Sequence, residues 1–299
     1  MIYKKKKILV TGASGFIGSN LLKFLNRKKF FVTGISNSHN NNYSIKSLSL
    51  FSKKKITQYL HEHNFDFVIH LGASVDELDS INTLKKNCQT TLNLLNACAD
   101  AKIKNFIYTS SHTVYDSSHY LPIDENHPLN PTTNYSLSKL INENFCELFS
   151  EHDINFTILR ISSVYGNDQK ERFVIPTLIN SCILQDDLVV HKYKNGFQIM
   201  DLVHVDDVCS SIELACNSKQ KFGIYNIASG KPVTAFQIAK YLKGLSGTNS
   251  IKIKKIQKNT NHFIYDISKA KRELKFKPKI WVSKKILKSL LSNFENRLS

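Results

Sequence analysis

The sequence predicts an α/β protein: a doubly wound parallel sheet followed by a smaller, mixed α/β lobe. Three observations carry this. Short β-branched apolar runs alternate with helical periodicity through the first half. A glycine turn joins the first run directly to the first helix. No internal repeat or low-complexity linker divides the 299 residues, so two closely packed lobes are expected.

The elements follow in order. Lys7–Val10 is an apolar strand, and Phe16–Leu25 has helical spacing after the glycine turn. Phe31–Ile35 is the second strand, and the Asn- and Ser-rich stretch Ser36–Ser44 is a loop. A lysine-rich helix carrying His61 and His63 precedes the strand Phe65–His70, and both histidines are expected in solvent. Ile81–Ala101 is a helix and Asn105–Thr109 a strand. Pro131 suits the first turn of a helix ending near Glu151, and Phe156–Ile161 is a further strand. The second half holds segments at Phe173–Ser181 and Phe197–Val205, a helix Asp206–Asn217, a strand Gly223–Ile227 and a helix Thr234–Leu242. These assignments place a dinucleotide-binding domain at 1–165 and a substrate lobe at 166–299, with some later segments returning to the first domain. A cleft is expected at the C-terminal ends of the strands.

Composition excludes several classes. With 41 Lys and Arg against 24 Asp and Glu, the chain is formally +17. The cations are nearly all lysine; the arginines are Arg27, Arg160, Arg172, Arg272 and Arg297. A nucleic-acid reader favours arginine, whose planar fork suits phosphate and guanine, so no nucleic-acid partner is expected. No stretch approaches the ~20 apolar residues of a bilayer span. The opening MIYKKKKILVTGASGFIG is interrupted by glycine and lacks a small-residue cleavage site, so a cytoplasmic protein is expected. The six cysteines form no CxxC pair and the eleven histidines no HExxH pattern; buried thiols and no metal are expected.

Between the first strand and helix lies Thr11-Gly12-Ala13-Ser14-Gly15-Phe16-Ile17-Gly18. Gly12 permits the turn, Gly15 admits a phosphate to the backbone, and Gly18 lets helix and strand pack closely. A pyrophosphate would sit on N–H groups at the positive end of the helix. This motif resembles that of the extended short-chain dehydrogenase/reductases, within them the NAD(P)-dependent nucleotide-sugar epimerase/dehydratase family. Further matches follow in order: His70-Leu71-Gly72-Ala73, Asn87 before Thr91–Leu95, Asn105–Ser111, Tyr135-Ser136-Leu137-Ser138-Lys139, Leu159–Gly166, Tyr225–Gly230, and Asp266–Ala270 with Leu274 and Pro278. The resemblance covers essentially the whole chain and implies a Rossmann-type fold.

Tyr135 and Lys139, four apart on a helix, share a face. A free tyrosine, with a pKa of about 10, is a poor base at neutral pH, and a neighbouring ammonium favours its phenolate. Tyr135 would then take a proton from a sugar hydroxyl or return one to a ketone. The resemblance implies that Ser111, with Ser110 as the fallback, holds the reacting oxygen and that Lys139 binds the nicotinamide ribose. It implies cofactor contacts from Gly12, Ser14, Gly15, Phe16, Ile17, Gly18, Ser36, Asn37, Leu71, Gly72, Ala73, Asn87, Tyr135 and Lys139. Substrate contacts fall to Ser110, Ser111, His112, Ser162, Ser163 and Met200.

The sequence departs from the family pattern in five places. The 4,6-dehydratases carry Asp-Glu after the catalytic hydroxyl residue; His112 and Thr113 stand there, which argues against water elimination. The acid that reads the adenosine ribose in NAD-preferring members is replaced by Ser36, so NADP(H) is preferred over NAD, with Asn37, Ser38, His39 or Lys46 as partners for a 2′-phosphate. Met200 occupies the place of a diphosphate-binding arginine, and Asn261-His262-Phe263 that of a second. Ser163 replaces an asparagine.

The expectation is an NAD(P)-dependent oxidoreductase acting on C4 of a nucleotide-activated sugar. Ser36 and the modest length place a 4-ketoreductase first and a 4-epimerase with tightly bound NAD second. A non-catalytic NAD(P)-sensing protein is a third reading. A homodimer is the expected assembly.

Overall fold

A computed structural model of the protein describes residues 6–28, 30–37, 45–75, 80–115, 117–169, 173–218, 220–247 and 250–298. The first half contains β1 (Lys7–Thr11), α1 (Phe16–Arg27), β2 (Phe31–Ser36), β3 (Ile45–Ser47), α2 (Lys53–His63), β4 (Phe67–His70), α3 (Ile81–Asp100), β5 (Asn105–Ser111), α4 (Asn134–Phe149) and β6 (Asn155–Ile161). It continues with β7 (Val164–Tyr165), α5 (Val174–Ile183), β8 (Leu188–Lys192), β9 (Ile199–Met200), β10 (Val203–His204), α6 (Val205–Ala215), β11 (Phe222–Ile227), β12 (Val233–Thr234), α7 (Ala235–Ser246), β13 (Ile251–Lys255) and α8 (Lys284–Leu298).

The main sheet has seven strands in the order β11-β6-β5-β4-β1-β2-β3, every pair parallel. The apolar run Ile8-Leu9-Val10 is fully buried, as a central parallel strand covered on both faces must be. On one face Leu21 and Leu25 of α1 pack with Val208 and Ile212 of α6. On the other, Ile56 and Leu60 of α2 join Leu94 and Leu95 of α3 and Phe149 of α4. Each fully buried leucine contributes about 1.5–3 kcal/mol of transfer free energy. Strand order reverses at β1, between β2 and β4, which opens a crevice beyond the strands' C-terminal ends.

The later segments form small paired ribbons: β7 with β10, β9 with β12, and β8 with β13. A third core gathers Ile179 of α5, Leu242 of α7 and Leu287 of α8. β11 returns to the edge of the main sheet beside β6. Among the described residues no helix is long and apolar enough to cross a membrane. Cys98, Cys146, Cys182, Cys209 and Cys216 are buried free thiols and Cys88 is half-buried.

Several elements differ from the sequence expectation for identifiable reasons. Helix α4 begins at Asn134 rather than Pro131, because Thr133 and Ser136 form a reciprocal capping box that satisfies the first N–H groups. Strand β3 adds to the sheet edge on the strength of one buried side chain, Ile45, too little for a periodicity signal. His63 is half-buried rather than solvated: its ring stacks on Phe65 at 5.8 Å, and its Nδ1 lies 2.9 Å from the Tyr59 carbonyl oxygen.

Candidate active site

The glycine loop leaves β1 at Thr11 and enters α1 at Phe16. Gly12 has φ +67°, and a Cβ there would stand 2.7 Å from the Gly72 Cα. A Cβ on Gly18 would stand 2.2 Å from the Gly12 carbonyl oxygen. The loop is therefore compressed between α1 and the Leu71-Gly72-Ala73 backbone that follows β4. Gly15 caps α1 without any side-chain hydrogen bond, so the first N–H groups of the helix, including those of Phe16 and Ile17, have no intrahelical acceptor. Such an end suits a pyrophosphate, and a side chain in the cradle would fill it. The residues fit a dinucleotide.

At the end of β2, Ser36 Oγ lies 2.5 Å from Ser14 Oγ, tying the second strand to the glycine loop. Asn37, next in line, is exposed. Lys46 turns away, its Nζ 4.1 Å from the centre of the Tyr59 ring. Ser38 and His39 lie outside the described residues. Asn87 spends its amide on protein: Oδ1 accepts from the Ser74 N–H at 2.7 Å, and Nδ2 donates to the Ser74 carbonyl and to Ser138 Oγ, each at 3.1 Å. It thus clamps the loop after β4 to α3 and α4.

The opposite wall is made by β5, β6 and α4. Lys139 is buried, and its Nζ donates to the Thr109 carbonyl at 2.8 Å. The same Nζ lies 5.7 Å from the centre of the Tyr135 ring. Burial lowers the Lys139 pKa to about 8, with the Glu143 carboxylate opposing. Ser111 ends β5, and its Oγ accepts from the Thr113 N–H at 3.2 Å and the Thr113 hydroxyl at 3.0 Å. Ser111 thus ends the strand on which Lys139 is anchored two residues earlier, at Thr109, beside Tyr135.

The candidate substrate residues gather at the ends of β5 and β6. Ser110 Oγ and Ser162 Oγ are buried polar atoms with no protein partner. His112 Nε2 lies 3.2 Å from Ser163 Oγ, and burial lowers the His112 pKa to about 4. The ring meets Phe263 and Tyr265 edge-on at 5.8 and 5.9 Å. Met200 forms a backbone bridge to Phe263, and its side chain packs on the third core with Ile179 and Leu242.

His70 lies beneath the cofactor crevice. The Thr91 hydroxyl donates to the Asn87 carbonyl at 2.8 Å, so the His70 Nε2–H, 3.0 Å away, donates to Thr91. His70 Nδ1 then accepts from the Thr11 hydroxyl at 2.6 Å. Burial, and secondarily Lys139, lower its pKa to about 3. A folded pKa depressed below the unfolded value stabilises the fold above pH ~6.5 and loses that stability as pH falls. Between pH 7 and 5 the wild type should lose about 2 kcal/mol through this group. Urea unfolding at both pH values checks it: His70→Asn should shrink the pH dependence by that amount, and an unchanged dependence contradicts the assignment.

Sequence reasoning missed the layer behind these residues. Glu143 and Arg160 form a buried ion pair at 2.7 Å. Arg160 Nη1 also donates to the Tyr115 hydroxyl at 3.0 Å, and that hydroxyl donates to Asn226 Oδ1 at 2.7 Å. Asp201 accepts from Ser229 and Gly230, shaping the loop after β11. The available signal was the position of Glu143, four after Lys139, which puts a carboxylate on the same helical face.

Comparisons with known proteins agree with this geometry. The profile of the NAD dependent epimerase/dehydratase family matches residues 8–228. A putative UDP-glucose 4-epimerase from Methanocaldococcus jannaschii is 31% identical over 291 residues, covering 91% of this chain and 93% of that protein. A dTDP-D-glucose 4,6-dehydratase from Dictyostelium discoideum is 28% identical, covering 81% of this chain and 62% of that protein. The solved UDP-glucose 4-epimerase of Thermotoga maritima, with UDP-glucose, superposes with a TM-score of 0.88 at 26% identity, covering 98% of this chain and all (100%) of that one.

Proposed function

The chain belongs to the NAD-dependent epimerase/dehydratase family, and from that premise we propose that it is a nucleotide-sugar 4-epimerase acting on a UDP-hexose with retained NAD. The observation that carries this is Lys139, anchored on Thr109 beside Tyr135 at the end of β5. Sequence alone placed a 4-ketoreductase first; similarity to UDP-glucose 4-epimerases along nearly the whole chain reverses that order.

In this reading the glycine loop, α1, Ser36 and the Leu71–Ala73 backbone hold the dinucleotide, whose nicotinamide ring supplies reversible hydride acceptance from the sugar carbon. Ser111 orients the reacting 4-oxygen. Tyr135 removes its proton as the carbonyl forms and returns it to the inverted alcohol, with the Lys139 ammonium favouring the phenolate. Ser110, Ser162, His112, Ser163 and Met200 line the sugar side. No acid follows Ser111, since His112 and Thr113 stand there, so elimination of water is not part of the proposal. The division at residue 165 into cofactor domain and substrate lobe belongs to it. So does a homodimer, for which exposed Ile81 on α3 and Leu137 and Leu148 on α4 offer apolar surface.

Incubation with UDP-glucose should yield the C4 epimer by NMR without net NADH formation. One feature favours the reductase: Ser36 presents no carboxylate to repel a 2′-phosphate. If a 4-keto sugar nucleotide consumes NADPH stoichiometrically while UDP-glucose stays unchanged, the reductase replaces the epimerase. Ser36→Asp tests the cofactor side. It should leave the NAD Kd within a few-fold and raise the NADP Kd at least ~10-fold, since a like charge near the phosphate costs over 1 kcal/mol. Equal effects on both cofactors would contradict the placement of Ser36.

A further inference from the structure

Three buried charges stand in a row behind Tyr135, and their sum is not zero. Lys139, Glu143 and Arg160 expose 4%, 3% and 4% of their surface. Glu143 follows Lys139 by one turn of α4, while Arg160 reaches in from β6. Arg160 Nε lies 3.1 and 3.2 Å from the two Glu143 carboxylate oxygens, and Nη2 lies 2.7 Å from Oε2. The carboxylate is thus engaged at both oxygens by a planar fork. Lys139 donates instead to the neutral Thr109 carbonyl. Two cations against one carboxylate leave one positive charge over within this trio, and Lys139, 5.7 Å from the centre of the Tyr135 ring, is its member beside the tyrosine.

We infer that Glu143 and Arg160 are positioning residues: Arg160 occupies the Glu143 carboxylate so that it does not cancel the Lys139 ammonium at Tyr135, while Glu143 keeps that buried ammonium protonated. The inference rests on the reading of Tyr135 as the proton acceptor.

The other titratable groups around Lys139 are silent. His70 on β4 is held neutral by burial. Tyr108 on β5, its ring 5.0 Å from Lys139 Nζ, is raised well above the ordinary tyrosine value by burial. The thiols of Cys146 on α4 and Cys98 on α3 are also pushed up by burial. Beyond Arg160, burial raises Tyr115 to about 12, and Glu125, also raised by burial, is a further carboxylate on that side of the cluster. Glu125 accepts from the Asn226 N–H at 2.7 Å, and its carbonyl accepts from Arg160 at 3.1 Å. In a low-dielectric interior the Lys139–Glu143–Arg160 balance therefore sets the field at Tyr135.

The variants Arg160→Met, Glu143→Gln and the double Glu143→Leu/Arg160→Met test this through the pH profile of kcat/KM. In Arg160→Met, Glu143 faces Lys139 alone and cancels its charge, so the acid limb should rise by about one pH unit. In Glu143→Gln, Lys139 loses the carboxylate that opposes its burial, so the alkaline limb should fall by about one unit. The double variant replaces an ion pair by an apolar pair, which buried sites accept better than half a pair. Its acid limb should return to the wild-type position or below, and its alkaline limb should stay low. If Arg160→Met does not fold, Glu143→Gln and the double variant still decide the matter. A purely structural role predicts lower rates with both limbs at their wild-type pH, and that result overturns the inference. The same midpoints are readable without any sugar, as ultraviolet tyrosinate absorbance of each protein minus its Tyr135→Phe counterpart. Shifted tyrosinate midpoints in a protein that turns over no UDP-hexose would sink the substrate proposal and support this one.

Discussion

Tyr135→Phe is expected to lower kcat about 100- to 10,000-fold, with the fold and the bound dinucleotide retained. The change removes one oxygen from a half-buried residue in the first turn of α4. The helix start does not depend on it, because Thr133 and Ser136 cap α4, and Lys139 remains anchored on Thr109. What disappears is the phenolic oxygen proposed to move the proton on the 4-oxygen. Lys139→Met serves as the contrast: it removes the ammonium proposed to favour the phenolate and to contact the ribose, so both turnover and cofactor retention should suffer. Turnover and bound nucleotide per mole of protein check the pair. Wild-type turnover in Tyr135→Phe would refute the catalytic assignment and revive a cofactor-sensing role.

The second large effect is expected at Gly12. Gly12→Ala should abolish co-purification of the dinucleotide and destabilise the fold by about 3 kcal/mol or more, or about 5 °C or more in Tm for a chain of this size. Two costs combine: a left-handed backbone at φ +67°, and a Cβ placed 2.7 Å from Gly72 backbone atoms that cannot rotate aside. Gly247→Ala separates them. Gly247 has φ +76° with nothing within 4 Å of a Cβ, so it should cost only the conformational part, about 1–2 kcal/mol. Equal losses at the two positions would show that close packing of the loop against Gly72 is not the reason for glycine at 12.

What was legible in the sequence is what short-range spacing encodes. The glycine loop lies within one strand-turn-helix unit. Tyr135 and Lys139 share one helical face, so both could be placed from neighbours a few residues away, while Ser111 was singled out through the family resemblance. Long-range pairing was not legible in this way. Arg160 meets Glu143 from a different element, and neither residue's local pattern announces the other. β8 and β13 pair across α7, and the lysines of β13 mask its alternation. Pro131 misplaced the start of α4 because a capping box two residues on outcompetes a favourable φ. Asn87 satisfies its amide on Ser74 and Ser138, a pairing its motif does not announce; a motif gives a residue's address, while its hydrogen-bond partners depend on the tertiary surroundings. The formal charge of +17 also takes on a local meaning, since the excess that matters for chemistry is one buried lysine.

The most direct measurement follows a UDP-hexose carrying deuterium at C4 through turnover by the purified protein. An epimerase working through Tyr135, Lys139 and Ser111 predicts inversion at C4 with the deuterium still on that carbon and no label in free nucleotide. Loss of the label to solvent or to released NAD(P)H, or an unchanged C4 under conditions where a 4-keto sugar is reduced, would contradict it.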